Sequence, residues 1–347
     1  MERGPAGVAW VAVMVPAVAV VLSCLVDDPL GLLSMTSGPP SPPTPPPPEL
    51  EDVGEPLFLT PLLEAGKIEE ARRLSRVPLR EEYALSYAGL FTVDKTFDSN
   101  HFVWFFPARE GCKDAPVMVW LDGGPGFSSM FGLFGMHGPF SVTVDRELVP
   151  HEHTSTKHFN IAFIDNPVFS ERVVRMCCKV LYTTSLSISR AFPHTLPRLQ
   201  EMRYFDEHVQ KPYVRRALHV GNKTYYPFDG YLGKFYEGDV MRSVEPWLEE
   251  MLNNSIKVML FNGQLDLAVP YASSEMLARS LHWNHAQEYL EAPRRAWWVE
   301  GQLAGNVQEA RGLVRLLVRC SGHEVGHRQP LEALDMLKRF MTRDTFL

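Results

Sequence analysis

Four short and almost uninterrupted runs of apolar residues constrain the fold of this chain more than any other feature. They are Pro116–Leu121, Asn160–Ile164, Lys257–Phe261 and Val314–Val318. Runs without polar alternation are typical of strands that are buried on both faces of a mainly parallel sheet. Segments with helical spacing lie between them, so the sequence predicts an α/β fold in which helices cover both faces of the sheet.

Further elements are predicted around these runs. Tyr87–Val93 and His101–Phe106 have the period of strands and predict a hairpin across the turn that joins them. Leu59–Leu74 has apolar residues at helical spacing, and Thr60 as N-cap with Pro61 in the first turn predicts a peripheral amphipathic helix. Three later segments also have helical spacing: Val244–Asn253, Ser273–Leu281 and Leu331–Met341.

The N-terminal 55 residues differ in composition from the rest of the chain. Residues 1–26 contain a basic residue followed by a nearly unbroken apolar run and predict a signal peptide, with an uncleaved signal-anchor as the alternative. Residues 27–55 form a proline-rich linker, which favours an extended polyproline II spacer over a recruiter of proline-reading domains. N-x-S/T tripeptides at Asn222 and Asn253 are glycosylation acceptors that fit the same secretory route.

The charge balance excludes some functions. Lys and Arg number 34 against 41 Asp and Glu, for a formal net charge of −7, which argues against a nucleic-acid or polybasic membrane-surface binder. No C-x-x-C pattern or Cys/His cluster suggests a metal site, so we expect no metal and no cofactor. Cys24 is lost with the signal peptide, and Cys112, Cys177, Cys178 and Cys320 can form at most two disulfides.

Polar loops follow three of the predicted strands. Asp122–Ser129 is glycine-rich, and glycines let backbone N–H groups point outward as an oxyanion hole requires. Asn262–Asp266 and Ser321–His323 place a carboxylate and an imidazole after two other strands. Taken singly, such residues are ordinary turn or surface residues. Their joint placement favours a hydrolase site, because Asp and then His is the chain order of the last two members of a Ser…Asp…His triad.

These loops belong to a series of motifs that resemble the serine carboxypeptidases, and most closely their vitellogenic-like branch. The similarity covers about residues 56–168 and 204–347, and its motifs recur in order. They are Leu57–Pro61, Ser86–Gly89, Val119–Gly126, Asp165–Val168, Ala217–Asn222, Phe261–Asp266 and Ser321–His323, with Gln329 and Pro330 following.

The resemblance implies an α/β-hydrolase fold and the release of C-terminal residues from peptides at acid pH, in a lysosome or after secretion. It implies that Gly124, with Gly123, lines the oxyanion hole. Asp266 and His323 match the acid and the base of the triad, which in the family work by Ser-His-Asp acyl transfer. Trp120 matches a residue that binds the substrate carboxylate. A homodimer is also expected from the family.

The chain departs from the family at the nucleophile. The family carries its serine on a Gly-x-Ser-x-Gly elbow, and no such pattern occurs in the 347 residues. The similarity stops after Val168, and a non-matching insert, 169–203, stands where the nucleophile strand, elbow and helical cap are expected. The stretch Glu171 to Pro197 has no clean period and predicts no element. Loss of a buried central strand requires that its neighbours re-pair, that the region from Glu171 substitutes for it, or that the fold is impaired.

Substrate recognition differs as well. Asp122 stands in the carboxylate-binding region where the family has Asn, and its charge would repel a substrate carboxylate unless it is protonated. Met136 stands where the family has Glu. We therefore expect weakened recognition of peptide C termini.

The leading hypothesis is a serine carboxypeptidase family member of the secretory pathway, lysosomal or secreted, whose catalysis is impaired. Three alternatives stay open. The chain could retain activity through Ser128 or Ser170, act as a non-catalytic pseudoenzyme that binds peptide or protein C termini, or be a truncated isoform or gene-model product of an active carboxypeptidase. None of them involves nucleic acid, and none needs a membrane span if the signal peptide is cleaved.

Overall fold

The structure is a computed structural model that describes residues 52–122, 127–165, 196–223, 225–227, 243–342 and 345–346. From 196 to 202 it describes the backbone alone. The predicted signal peptide and the linker up to residue 51 lie outside the described residues. No helix within these ranges is long and apolar enough to cross a membrane.

The first sheet has four strands in the order β1-β2-β6-β3. β1 (Tyr87–Asp94) and β2 (Ser99–Phe106) form the predicted antiparallel hairpin. β6 (Asn160–Ile164) pairs antiparallel with β2 and parallel with β3 (Val117–Trp120). The first two apolar runs are therefore neighbouring parallel strands, as the sequence predicts. A separate two-stranded hairpin, β4 (Phe140–Val142) with β5 (Leu148–Pro150), lies between them in the chain.

The second sheet also has four strands, in the order β7-β10-β9-β8. β7 (Val258–Gly263) and β10 (Leu313–Val318) are the other two predicted runs, and they pair in parallel. β9 (Gln302–Ala310) pairs antiparallel with both β10 and β8 (Arg295–Val299). The expectation of a mainly parallel sheet is therefore wrong in detail. The described strands form two mixed sheets, because β1 and β2 extend one sheet and β8 and β9 extend the other with antiparallel pairs.

Ten α-helices are described, together with a π-helix over Leu133–His137 and a 3₁₀ turn over Ser155–Lys157. The α-helices are α1 (Thr60–Glu64), α2 (Ile68–Leu74), α3 (Met130–Gly132), α4 (Leu196–Val209), α5 (Pro212–Ala217), α6 (Glu245–Asn253), α7 (Tyr271–Ser280), α8 (Ala286–Glu291), α9 (Val325–Arg328) and α10 (Pro330–Thr342). The three later helices predicted from the sequence are α6, α7 and α10.

The predicted helix over Leu59–Leu74 is broken in two. Gly66 has a φ of +70°, a left-handed conformation that ends α1 before α2 begins. Thr60 is not the N-cap; Leu59 occupies that position, and no side chain caps the helix. The Thr60 hydroxyl instead accepts the backbone N–H of Thr92 at 2.8 Å and attaches α1 to the first sheet.

Helix α10 packs against the cores of both sheets. Leu337 and Met341 lie in the aromatic-rich core of the first sheet, beside Trp104 and the rest of that cluster. Ala333 and Met336 lie in a core of the second sheet. The helix has an apolar stripe on its inward face, as its sequence spacing predicts, and that stripe joins the two halves of the fold.

Candidate active site

Asp266 and His323 are brought together by the parallel pairing of β7 and β10. The register runs from Val258 opposite Leu313 to Gly263 opposite Val318, so the two strands end at the same edge. The loops that follow them lie side by side, and His323 Nδ1 is 2.9 Å from Asp266 Oδ2. The structure thus brings together the two residues that the sequence predicts as acid and base, and their catalytic roles stay a prediction.

The Asp266 carboxylate is held rigidly. It is 7% exposed, and its Oδ1 accepts the backbone N–H groups of Ala268 and Val269, each at 2.9 Å. The preceding Gly263 permits the close approach of the two loops, because a Cβ there would lie only 2.0 Å from the carbonyl oxygen of Gly322. A buried carboxylate fixed by two N–H donors can orient an imidazole and stabilise its protonated form.

The His323 side chain is 36% exposed, in contrast to the buried Asp266. With Nδ1 facing the carboxylate, its Nε2 is the nitrogen placed to exchange a proton with a reacting group. The described residues therefore contain a carboxylate–imidazole pair in the geometry that proton transfer needs.

The side chains of Trp120 and Asp122 are hydrogen-bonded to each other. The Trp120 Nε1–H donates to Asp122 Oδ2 at 2.9 Å, and the same oxygen accepts the N–H of Gly132 at 2.9 Å. Burial raises the pKa of Asp122 to about 7, against the lowering effect of these bonds, and the carboxylates of Asp165 and Glu324 add to the rise. At acid pH the Asp122 carboxyl is therefore neutral, and its repulsion of a carboxylate is removed.

The surroundings of Ser128 are those of a structural residue and not those of a catalytic nucleophile. It is fully buried, and its hydroxyl donates to the Asp165 carboxylate at 2.9 Å. The backbone N–H of Ser129 donates to the same carboxylate at 2.7 Å. Burial raises the pKa of Asp165 to about 6, opposed by these two hydrogen bonds. This network fixes the end of the glycine-rich loop on β6, and it gives no support to Ser128 as the catalytic serine.

His137 is a buried histidine beside the site that the sequence motifs do not single out. It ends the π-helix and is 4% exposed. Its ring meets that of Trp120 edge-to-face with centroids 4.1 Å apart, and it stacks on Phe163 at 5.5 Å. Neither ring nitrogen has a hydrogen-bond partner among the described residues. Burial lowers its pKa to about 3, so this ring stays neutral at physiological pH. Its position before Gly138 and Pro139 was the available sequence signal.

Several predicted residues lie outside the described residues. They are the oxyanion glycines Gly123 and Gly124, the alternative serine Ser170, and the adjacent cysteines Cys177 and Cys178. Residues 169–195 of the insert 169–203 likewise lie outside the described residues.

The remaining predicted surface residues are accessible. Asn222 and Asn253, the glycosylation acceptors, are both exposed. Cys112 and Cys320 are exposed and free of disulfides. Within the described ranges, no group of three or more His, Cys, Asp or Glu could hold a metal ion.

Comparison with known proteins gives one consistent family. A model of the serine carboxypeptidase family matches residues 80–171 and 170–343. The chain is 30% identical over 432 aligned residues to the probable serine carboxypeptidase CPVL of Pongo abelii, covering 84% of this chain and 90% of that protein. It is 29% identical over 428 residues to the venom serine carboxypeptidase of Apis mellifera, covering 84% and 91%.

A solved structure has the same fold. It is that of Kex1Δp, a prohormone-processing carboxypeptidase from Saccharomyces cerevisiae, with a TM-score of 0.61 and 15% identity. The match covers 76% of this chain and 92% of the Kex1Δp chain, and it identifies the α/β-hydrolase fold. The 432-residue alignment with the Pongo abelii protein is longer than the 347 residues of this chain, so it includes positions that have no residue here. The family match is divided at residues 170–171, inside the insert 169–203.

Proposed function

The chain belongs to the serine carboxypeptidase family, and we propose that it is a catalytically impaired member that binds peptide C termini in the lumen of the secretory pathway. One observation carries this proposal. Asp266 and His323, which match the acid and the base of the triad, lie 2.9 Å apart, whereas the 347 residues contain no Gly-x-Ser-x-Gly elbow to supply the nucleophile. An imidazole without a serine to deprotonate cannot form the acyl-enzyme on which this reaction depends.

The expected loss of activity is large. Removing the serine of a Ser-His-Asp triad costs roughly four to six orders of magnitude in rate and leaves only oxyanion and binding effects. The division of the family match at residues 170–171 supports the loss of an internal segment. The same observation favours an origin as a shortened product of an active carboxypeptidase gene, which predicts the same lack of turnover.

Binding of a peptide C terminus is supported by the chemistry at Trp120 and Asp122. Because burial raises the pKa of Asp122 to about 7, this carboxyl is protonated at about pH 5 and can share a hydrogen bond with a carboxylate. Above about pH 7 it is mostly ionised and repels a carboxylate. We therefore expect binding of C-terminally free peptides to strengthen as the pH falls from about 8 to about 5.

The first experiment labels the secreted protein with a fluorophosphonate probe at about pH 5, beside the venom serine carboxypeptidase of Apis mellifera as a positive control. The probe reacts only with an activated serine, so the proposal predicts labelling of the control and none of this chain. Labelling that maps to Ser128 or Ser170, together with release of C-terminal residues that His323→Ala abolishes, would establish an active enzyme and overturn the proposal.

A second experiment measures binding without turnover. Calorimetric titration of an N-blocked dipeptide with a free C terminus is compared with that of its C-terminal amide, at about pH 5 and about pH 8. The expected result is saturable binding of the free acid at acid pH, at least about tenfold weaker at pH 8 or with the amide. Equal binding of acid and amide at both pH values would contradict recognition of the carboxylate.

Entry into the secretory pathway is part of the proposal. It is supported by the apolar segment within residues 1–26 and by the exposed acceptors Asn222 and Asn253. Expression in mammalian cells should give a secreted or lysosomal glycoprotein whose mass falls on treatment with an N-glycosidase. Asn222→Gln and Asn253→Gln should each remove one glycan. A cytosolic, unglycosylated product would overturn this part of the proposal.

A further inference from the structure

The loop that carries Asp266, between β7 and α7, turns both of its leucines into solvent. Leu265 is 59% exposed and Leu267 is 63% exposed. Asp266 and Val269, in contrast, are only 7% and 5% exposed. A loop with few buried apolar side chains keeps one conformation only where other contacts hold it. Hydrogen bonds therefore carry much of the task of fixing the Asp266 carboxylate.

The two halves of this loop are held by different hydrogen bonds. The first half is attached to the end of β10, where the N–H of Leu265 donates to the carbonyl oxygen of Ser321 at 2.8 Å. The second half is attached to Asn262, whose Nδ2 donates to the carbonyl oxygen of Val269 at 3.1 Å. The N–H of Val269 in turn donates to Asp266 Oδ1 at 2.9 Å. Asn262 thus holds a residue that itself holds the carboxylate.

The Asn262 side chain is oriented by a serine of α7. Because the Val269 carbonyl oxygen can only accept, the amide turns Nδ2 toward it and Oδ1 toward Ser274. The Ser274 hydroxyl donates to that Oδ1, and the side chain is 1% exposed. The hydroxyl is also 3.0 Å from the carbonyl oxygen of Tyr271, a contact that serines within helices often make. Removing the hydroxyl would take a donor from the buried Asn262 oxygen.

We propose that Asn262 and Ser274 are positioning residues that fix the Asp266 carboxylate against His323. A continuous series of hydrogen bonds leads from α7 to the imidazole, through Ser274, Asn262, Val269, Asp266 and His323. Each member before His323 is at most 7% exposed. Hydrogen bonds in such dry surroundings are strong, and leaving one half-made is costly. The inference rests on the proposed roles of Asp266 and His323 and adds two residues that act through Asp266.

The competing interpretation is that this pair of residues only attaches α7 to β7. The helix has a separate apolar attachment, because Ala278 lies in one buried cluster with Val258 and Leu260 of β7. The hydrogen bonds of Asn262, in contrast, lead to one of the two N–H donors of the Asp266 carboxylate. A purely structural role predicts variants of lower stability in which the contact with His323 is unchanged. A positioning role predicts that this contact itself weakens.

Proton NMR of the full chain, with the histidine nitrogens isotopically labelled, measures the contact without requiring turnover. A proton held between His323 Nδ1 and the Asp266 carboxylate is strongly deshielded and protected from exchange with water, and its loss in Asp266→Asn assigns the signal. We expect Ser274→Ala to raise the rate of exchange of this proton with water at least about tenfold, because the loop then opens more often. Asn262→Ala should raise it further, since it removes the donor to Val269.

Two controls on α7 separate positioning from general destabilisation. Ser280→Ala removes an exposed hydroxyl that donates to Glu245 Oε1 at 2.6 Å. Ala278→Gly weakens the helix without touching Asn262. Both should leave the exchange rate of the His323 proton within about twofold of the parent rate. Equal acceleration in either control, or an unchanged rate in Ser274→Ala, would refute the positioning role.

The same spectra distinguish failure of this inference from failure of the proposed function. Absence of the deshielded signal in the parent chain would overturn the acid–base pair and, with it, the positioning role. A signal that is present in the parent and unchanged in Ser274→Ala would overturn the positioning role alone. If Asn262→Ala does not fold, Ser274→Ala decides the question, because it removes a single hydroxyl and leaves the Asn262 amide in place.

Discussion

Replacing Asp206 by Asn is expected to stabilise the protein at about pH 8 and to leave its stability below about pH 4 unchanged. Asp206 lies half-buried on α4, and its buried Oδ1 has no hydrogen-bond partner among the described residues. Burial raises its pKa from 3.8 to about 7, and the neighbouring Glu207 carboxylate adds to the rise. The nearby Tyr225 hydroxyl offers no positive charge, and its own pKa is raised well above the usual range.

The sign and size of the effect follow from proton linkage. Between pH 3.8 and about 7 the folded state binds more protons at Asp206 than the unfolded state does, so the free energy of unfolding falls as the pH rises through this window. A pKa difference of about three corresponds to about 4 kcal/mol. Because the residue is only half-buried, solvent screening reduces this figure, and we expect a gain of about 2 kcal/mol for Asp206→Asn at pH 8.

Urea unfolding followed by tryptophan fluorescence measures this difference at about pH 3.5, below the unfolded-state pKa of 3.8, and at about pH 8. Glu207→Gln is the matched control on the next residue. An ion pair with Arg146 lowers the pKa of Glu207, and Glu207→Gln removes this ion pair. Because the Glu207 side chain is exposed, the substitution should be only slightly destabilising at pH 8. Equal or lower stability of Asp206→Asn at pH 8, relative to the parent chain, would refute the assignment of a buried, uncompensated carboxylate.

Three further substitutions test other parts of the site. Asp122→Asn keeps an acceptor for the Trp120 and Gly132 donors and removes a carboxyl of pKa about 7, so melting temperatures should rise at pH 8 but not at pH 4. Gly263→Ala places a Cβ 2.0 Å from a carbonyl oxygen and should lower the free energy of unfolding in urea by at least about 3 kcal/mol. Its control is Gly301→Ala, which has open space around it. That substitution should cost about 1 kcal/mol, because Gly301 has a left-handed backbone conformation. His137→Leu removes a buried ring with no hydrogen-bond partner among the described residues, and should leave stability unchanged or raise it by about 1 kcal/mol; a loss above about 2 kcal/mol would reveal a hidden partner.

The elements that sequence patterns predicted are those in which buried apolar residues recur at a regular spacing. β7 and β10 are continuous apolar runs, and their parallel pairing follows from that pattern. β9 escaped prediction because its sequence mixes Gly305 with buried polar residues. Gln308 is 7% exposed, and its amide donates to the backbone carbonyl oxygens of Tyr289 and Ala292, in and after α8. The local sequence pattern does not predict these hydrogen bonds. Tertiary context decides such strands.

The candidate site divides in the same way. Asp266 and His323 were predictable because each directly follows a predicted strand, and the carboxyl ends of parallel strands meet at one edge. The bond between Trp120 and Asp122 was not predictable, because it depends on how the glycine-rich loop folds back over β3. The burial of His137 likewise depends on packing between Trp120 and Phe163, which are distant in the sequence.

The two halves of the site belong to different sheets, and this explains how one can persist without the other. Asp266 and His323 are positioned by the β7–β10 pair and by hydrogen bonds within its loops. Trp120 and Asp122 depend on β3 and on the network at the end of β6. Productive acyl transfer requires both halves at a fixed separation, since misplacement by about 1 Å costs roughly 100-fold in rate. Among the described residues, that separation is set by α10, which packs on the cores of both sheets, and by the contact of His327 with the carbonyl oxygen of Gly135 at 3.1 Å.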